Sequence, residues 1–463
     1  MRTKFFKNSF KSVKSQIIIF AGLIFTCGIS SNIFSQPISG ELVHPSWSYN
    51  KTIYEVNLRQ YSESGTFKGF EKHLPELKKM GVGILWFMPI NPIGEKNRKG
   101  KLGSYYSVQN YLAVDPEYGT MDEFKELVKK IHSMGMYVIL DWVADHTSWD
   151  NVWTKEHPDF YKKDAKGNFV PPVKDWTDVI ALDYSNKKLW KYMTNAMEFW
   201  VKDCGIDGFR CDVADMVPTA FWDQARVQLD KIKPVFMLAE AEKPELQVNA
   251  FDMTYSWKLF SLMNDIAKGK KNAGDMINYF KWENKNYPVN DFRMRFTSNH
   301  DENSWNGTVS EMFGDAAPTF AAFTFAINGM PLIYSGQEAG LNKRLKFFER
   351  DPIDWKPSKY KEQYTKLVHL KLNNKALWCG AEGGKMTMVS SSNEKSVFSF
   401  IREKDNDKVF VVFNLSAKPV DVKLSSGLMK GNYINLFSGK KVSFTDSESF
   451  DLKSWDYMFY VKE

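Results

Sequence analysis

Four stretches of this sequence place ionisable side chains where an apolar run ends, and each suits a different part in one acid–base chemistry. In 208–212, Gly-Phe-Arg-Cys-Asp, Arg210 and Asp212 stand two positions apart, so a strand turns both to one face. A cation beside a carboxyl lowers its pKa and keeps it ionised, as a nucleophile or a stabiliser of positive charge requires. In 236–240 four apolar residues precede Glu240. A carboxyl partly withdrawn from water and near another acid holds its proton more tightly, so Glu240 suits a proton donor, with Glu242 its rival two residues on. His300 and Asp301 close the run 296–301, and Asp141, Asp145 and His146 punctuate 141–146. Each stretch has a plainer reading: a buried Arg/Asp pair, a helix-capping acid, a loop cap, a satisfied structural histidine. Their coincidence at four run ends is what makes a site of them.

The elements that must position them alternate. Short apolar β-rich runs at 53–57, 83–89, 136–143, 208–214, 235–240, 251–255, 293–299 and 331–334 are separated by amphipathic helical patterns such as 67–80, 121–134 and 187–204. Eight strands with crossover helices over about 330 residues suit a (β/α)8 TIM barrel better than an open doubly wound sheet, and no Gly-rich phosphate loop follows any strand. In such a barrel, function collects at the C-terminal ends of the strands, where the four stretches fall. The barrel is assigned to 41–146 and 185–376. Residues 147–184, rich in Trp, Pro, Asp and Lys, are too long for an ordinary connection and read as a short inserted subdomain after strand 3. From 377 to 463 period-two runs at 396–402, 408–414 and 456–461 indicate a C-terminal antiparallel β-sandwich.

Residues 1–36 stand apart. Arg2, Lys4, Lys7, Lys11 and Lys14 precede the apolar run 17–29, then small and polar residues with Ser35 placed for cleavage: a signal peptide, and hence export to the periplasm or the extracellular space. The run is short for a membrane anchor, which needs about 20 apolar residues, and Phe25 and Thr26 make Cys27 a poor lipidation site. Five cations and no acids leave with this segment, so the formal charge of +7 falls to +2. That balance gives no field to draw nucleic acid, and no membrane association is expected after cleavage. Cys204, Cys211 and Cys379 then remain; the first two, seven positions apart, lie beyond disulfide reach along an extended chain. No Cys/His cluster has zinc spacing. No sequence feature assigns an oligomeric state.

These residues carry a resemblance. Over nearly the whole chain after the leader the sequence resembles the α-amylase family of glycosidases, glycoside hydrolase family 13. The four family regions appear in order at 141–146, 208–214, 238–240 and 296–301, with supporting matches at 83–89, 106–116 and 329–336. The resemblance implies Asp212 as nucleophile, Glu240 as acid/base and Asp301 as the third carboxylate, gripping sugar hydroxyls. It further implies Arg210 beside the nucleophile, His146 and His300 on sugar hydroxyls, and Tyr106 stacked on the ring that is cleaved. The implied reaction is retaining hydrolysis of α-1,4-glucosidic bonds in starch-like glucans or maltooligosaccharides; glucosyl transfer or trehalose-forming isomerisation would use the same intermediate. A catalytically silent glucan-binding protein is disfavoured because all three carboxylates are present.

Some positions depart from the family pattern. Calcium is common in the family, yet Asp145 stands where Asn is usual, Ala181 aligns with the insertion's usual Asp, and Asp215-Met216 replaces Lys-His. A calcium site is therefore poorly supported and no metal ligand is assigned. The segment 179–183 lacks the acidic-Pro motif of oligo-1,6-glucosidase-like members, which favours α-1,4 linkages. The short insertion suggests an open cleft and internal cleavage. Trp149, Trp153, Trp176 and Trp305 are the candidate cleft aromatics, and Trp455 a candidate core residue of the sandwich.

Overall fold

The computed structural model describes residues 42–463, so the expected leader at 1–36 lies outside the described residues. Eight parallel strands close a barrel: β1 (Ile53–Val56), β2 (Ile84–Phe87), β3 (Tyr137–Val143), β4 (Gly208–Asp212), β5 (Phe236–Ala239), β6 (Met253–Tyr255), β7 (Phe292–Arg295) and β8 (Met330–Tyr334). They pair in the order β1-β8-β7-β6-β5-β4-β3-β2 and back to β1. Strands covered on both faces read as continuous apolar runs rather than alternating ones; β2 (Ile-Leu-Trp-Phe) and β5 (Phe-Met-Leu-Ala) are buried throughout. Polar residues inside such strands are costly unless partnered, which marks Glu55, Asp141, Arg210 and Asp212 as parts of a network.

Local chemistry sets the helix ends. Thr120 and Glu123 form a reciprocal capping box that starts Met121–Ser133, and Phe124, Leu127, Val128 and Ile131 bury one stripe against the barrel. The single helix expected over 67–80 is two, Phe67–Glu71 and Leu74–Met80. Pro75 at the start of the second lacks an N–H and crowds the preceding turn, so the chain breaks there. Strand β7 also ends earlier than expected, at Arg295; within it Arg293 pairs with Glu242 and Glu283, and Arg295 with Glu283, in a buried ion network. His300 and Asp301 therefore sit on a loop beyond the strand.

One glycine is essential to the site's placement. Gly208 opens β4 at φ +153°, and a Cβ there would lie 1.9 Å from the Phe236 carbonyl oxygen. Only glycine lets β4 and β5 approach this closely, and that approach brings Arg210 and Asp212 alongside Glu240.

After β3 the chain makes a small antiparallel pair, His146–Ser148 with Val179–Ala181. Within the intervening loops Trp153 packs on Phe160, Tyr192 and Tyr111. Beyond the helix Lys359–Asn373, two antiparallel sheets of six and three strands enclose a second core that includes Ile401, Phe410, Val412 and Leu424. This part docks on the barrel through Phe398 and Phe413 against Phe323, and through buried Arg402, which donates to the carbonyls of Gly384, Ala326, Ile327 and Trp378. Cys204, Cys211 and Cys379 are free thiols. Among the described residues no helix is long and apolar enough to cross a membrane.

Candidate active site

Arg210 is the centre of the barrel mouth. Its Nη1 donates to Asp212 Oδ1 at 2.8 Å and to Asp141 Oδ1 at 2.9 Å, its Nη2 lies 3.1 Å from Glu240 Oε1, and its Nε donates to the Tyr255 hydroxyl at 3.2 Å. The guanidinium is fully buried, with Trp86 and Tyr255 rings about it. Arg210 thus stands beside Asp212, as expected from their spacing, and reaches Glu240 as well. Two-residue spacing along β4 places Arg210 beside Asp212, but the fork of a guanidinium is wide enough to bridge to the next strand as well.

Three buried carboxylates around one cation cannot all be ionised cheaply, so a proton stays within the cluster, shared as a coupled system. Asp141 reports this: burial pushes its carboxyl up, Arg210 opposes and Asp212 adds to the rise, leaving it at about 6. Replacing it with Asn removes one negative charge and lets the cluster release its proton sooner. The expected result for Asp141→Asn is an alkaline limb of kcat/KM shifted acidward by about one unit; pH–rate profiles of the two proteins check it, and coincident limbs would refute the coupling.

Glu240 is held by the turn after Asp212. Val213, at φ +37°, adopts a left-handed conformation that a β-branched residue rarely takes, and its N–H donates to Glu240 Oε2 at 2.8 Å. Strain in the turn thus fixes the second carboxyl against the first. Glu242, the rival, faces elsewhere: it pairs with Arg293 at 2.6 Å and accepts the Lys258 N–H at the start of the helix Trp257–Ala267. It is a structural cap.

The third carboxylate belongs to a chain running across the barrel. His300 Nδ1 is 2.5 Å from Glu55 Oε1, its Nε2 is 2.7 Å from the Tyr106 hydroxyl and 3.3 Å from Asp301 Oδ2, and the Tyr106 hydroxyl donates to Asp141 Oδ2 at 3.0 Å. Burial disfavours a charged imidazole, yet Asp301 and Glu55 outweigh it and push His300 up to about 10. A charged His300 donates from both nitrogens, which orients the Tyr106 hydroxyl toward Asp141. Because the folded value lies above the ordinary 6.5, His300 adds stability that is fully present below that pH and is lost as pH rises through 10. The stability gap between the natural protein and His300→Gln is accordingly expected to be wide near about pH 6 and to narrow toward about pH 10, as read by denaturant unfolding at both.

Of the other expected residues, Tyr106 stacks on His300, its ring 5.4 Å away at 24°. His146 is buried, with Nδ1 2.8 Å from Asp145 and Nε2 3.1 Å from the Tyr106 carbonyl oxygen, so both nitrogens face protein and a sugar hydroxyl would have to share Nε2. Trp176 packs edge-on against His146 and Trp305 lies at the rim, whereas Trp153 is core. Glu55, Trp86 and Phe347 were missed, and Asp141 was named only as the start of 141–146 and given no role; an acid inside each apolar run, at 55 and at 141, was the available signal for two of them.

The calcium that the family suggests was tested against the donors present. Asp145, His146 and Asp212 offer ligand atoms within 4.8 Å of one another. Calcium asks for six to eight oxygens. Here one donor is an imidazole already 2.8 Å from Asp145, Asp212 Oδ1 accepts from Arg210, and the Ala181 carbonyl accepts from Lys162. These residues do not fit calcium.

The sequence and the fold are shared with known proteins. A family model described as alpha amylase, catalytic domain matches residues 6–175 and 173–409, and one described as maltogenic amylase, C-terminal domain matches 386–459. The structure resembles that of a noncanonic maltogenic alpha-amylase from Thermotoga neapolitana, with a TM-score of 0.82 and 31% identity, covering 89% of this chain and 98% of that one. The sequence is 28% identical over 445 residues to alpha-amylase 2 of Dictyoglomus thermophilum, covering 85% of this chain and 74% of the relative. It is 25% identical over 390 residues to an alpha-1,4-glucan:maltose-1-phosphate maltosyltransferase of Picrophilus torridus, covering 77% and 59%. The chain belongs to the α-amylase family, glycoside hydrolase family 13. It is an α-amylase-type glycoside hydrolase.

Proposed function

We propose that the chain hydrolyses α-1,4-glucosidic bonds of starch-like glucans or maltooligosaccharides by double displacement with retention. Asp212 attacks the anomeric carbon while Glu240 gives its proton to the glycosidic oxygen, and the sugar alcohol departs. Glu240, now a carboxylate, takes a proton from water, which attacks the same carbon and frees Asp212. Asp301 grips hydroxyls of the distorted ring, His300, whose Nδ1 and Nε2 face Glu55 and Tyr106, would have to share Nε2 to reach one, and Tyr106 offers the ring a flat face. The observation that carries the reading is the single guanidinium touching both Asp212 and Glu240. Such closeness favours a retaining pair, with carboxyls about 5 to 5.5 Å apart, over an inverting pair spaced about 6.5 to 9.5 Å to admit a water.

The protein without residues 1–36 is expected to degrade starch and maltooligosaccharides with the α-anomer formed first, and to leave trehalose and α-1,6 bonds largely intact. Size and anomer analysis over time tests this; a β-anomeric first product would refute retention. The relative named as a maltosyltransferase motivates a second reading, in which an acceptor other than water receives the glycosyl unit. Labelled water appearing at the new reducing end separates hydrolysis from transfer. We further infer export, from the basic and apolar leader; a mature N-terminus near residue 37 in periplasmic or culture fractions is the expected finding.

A further inference from the structure

Strand β1 carries an acid that the displacement itself does not use. Side chains alternate along the strand: Tyr54 turns outward, its hydroxyl donating to Glu338 at 2.6 Å, and Glu55 turns into the barrel. The Glu55 carbonyl accepts from the Ser335 N–H at 3.1 Å and from the Ser335 hydroxyl at 2.5 Å, so the main chain is pinned to the end of β8 at this residue. The side chain is fully buried. Its Oε1 lies 2.5 Å from His300 Nδ1, whereas Oε2 has no hydrogen-bond partner. A buried carboxylate with one bare oxygen is costly to hold. A glutamine would fill nearly the same space and accept the same Nδ1–H through its amide oxygen. The two side chains differ in what they do to the imidazole.

A carboxylate stabilises the imidazolium, in which both ring nitrogens donate. Beside an amide the ring can lose a proton, and if Nδ1 keeps its hydrogen, Nε2 becomes an acceptor. That nitrogen lies 2.7 Å from the Tyr106 hydroxyl and 3.3 Å from Asp301 Oδ2. With a donor there, the Tyr106 hydroxyl is left to donate to Asp141 Oδ2 at 3.0 Å, and Asp301 is held in an ion pair. With an acceptor there, the hydroxyl turns back to His300, Asp141 Oδ2 is left with the Trp86 Nε1–H at 3.2 Å, and a lone pair faces Asp301. The direction of each bond from β1 across to Asp141 thus follows one charge. Glu55 and Asp301 act most strongly on the ring; Asp141 on β3 and Glu302 beyond Asp301 also face it with acids, Tyr106 with its hydroxyl, and Trp86 and Phe347 with rings 6.0 and 6.5 Å away.

Resting on the hydrolytic reading above, we infer that Glu55 is a positioning residue of the reaction: its carboxylate on His300 Nδ1 holds the imidazole as a donor from both nitrogens, and so keeps Asp301 at Nε2 and the Tyr106 hydroxyl on Asp141. It acts through His300, at the far side of the ring from Asp301.

The test is the pH dependence of kcat on maltopentaose for the natural protein and Glu55→Gln. His300 stands at about 10 in the natural protein, and loss of one adjacent anion lowers it by about 2 units. The variant's imidazole is therefore charged below about pH 8 and neutral above it. The ratio of the variant's kcat to the natural one is expected to lie within about threefold of unity near about pH 5.5 and to fall about tenfold further by about pH 9, with KM nearly unchanged. Glu55→Asp, which keeps the charge, should flatten that fall, and Glu55→Ala should reproduce it if the glutamine variant folds poorly. In a His300→Gln background Glu55→Gln should add no pH dependence, whereas a general loosening of β1 would lower kcat in both backgrounds alike. A ratio that stays flat from about pH 5.5 to about pH 9, or a fall equally steep without His300, overturns the inference while leaving hydrolysis standing. If the natural protein cleaves no maltooligosaccharide, the hydrolytic reading falls and takes the inference with it.

Discussion

Asp212→Asn is expected to lower kcat by about 10⁴-fold or more while leaving the folded protein and its substrate affinity nearly intact. An amide neither attacks the anomeric carbon nor stabilises the positive charge that develops there, and removing a nucleophile abolishes the covalent route altogether. The substitution is nearly isosteric, and Asn Oδ1 can still accept from Arg210 Nη1, now 2.8 Å from Asp212. Unfolding by heat should therefore show a small change, and kinetics a large one. A variant that kept a tenth of the activity would place the nucleophile elsewhere.

The second large effect belongs to Arg210. Arg210→Met leaves Asp141, Asp212 and Glu240 buried around an apolar side chain, and breaking a buried ion pair from one side costs about 3 to 5 kcal/mol. Thermal or denaturant unfolding at neutral pH should register that loss. Arg210→Lys separates stability from alignment. An ammonium keeps the charge but cannot span two carboxyls as a planar fork does, so stability should recover in part while kcat stays about 10²-fold down. If Lys restored both together, charge alone would matter and the bridging geometry would not.

The barrel was legible because its strands are covered on both faces and read as apolar runs, with capped helices between them. What could not be read were contacts made between strands. The spacing of Arg210 and Asp212 reveals a shared face, but no spacing shows that the guanidinium also reaches Glu240 on the neighbouring strand. Glu55 and Asp141 did leave a signal, an acid within an otherwise apolar strand, and both joined the site. Phe347 left none, since a loop aromatic has no period to read and its place depends on Arg59, Gln60 and Leu102 far away in sequence. The break before Pro75 was visible to the rule that proline interrupts a helix, and the amphipathic stripe from 67 to 80 masked it.

His146 teaches a related lesson. Sequence places it at the end of β3 among substrate-binding positions, whereas its ring nitrogens hold Asp145 and the Tyr106 main chain. A sugar hydroxyl reaching His146 would share Nε2 with the Tyr106 carbonyl.

The measurement that bears most directly on the double displacement is capture of its intermediate. A 5-fluoro-α-glucosyl fluoride slows breakdown of the glycosyl-enzyme more than its formation, and digestion followed by mass spectrometry locates the sugar. The account predicts one glycosyl group per chain, carried by the peptide that contains Asp212 and absent from Asp212→Asn. A label on Glu240 or Asp301, or none under turnover, would contradict it.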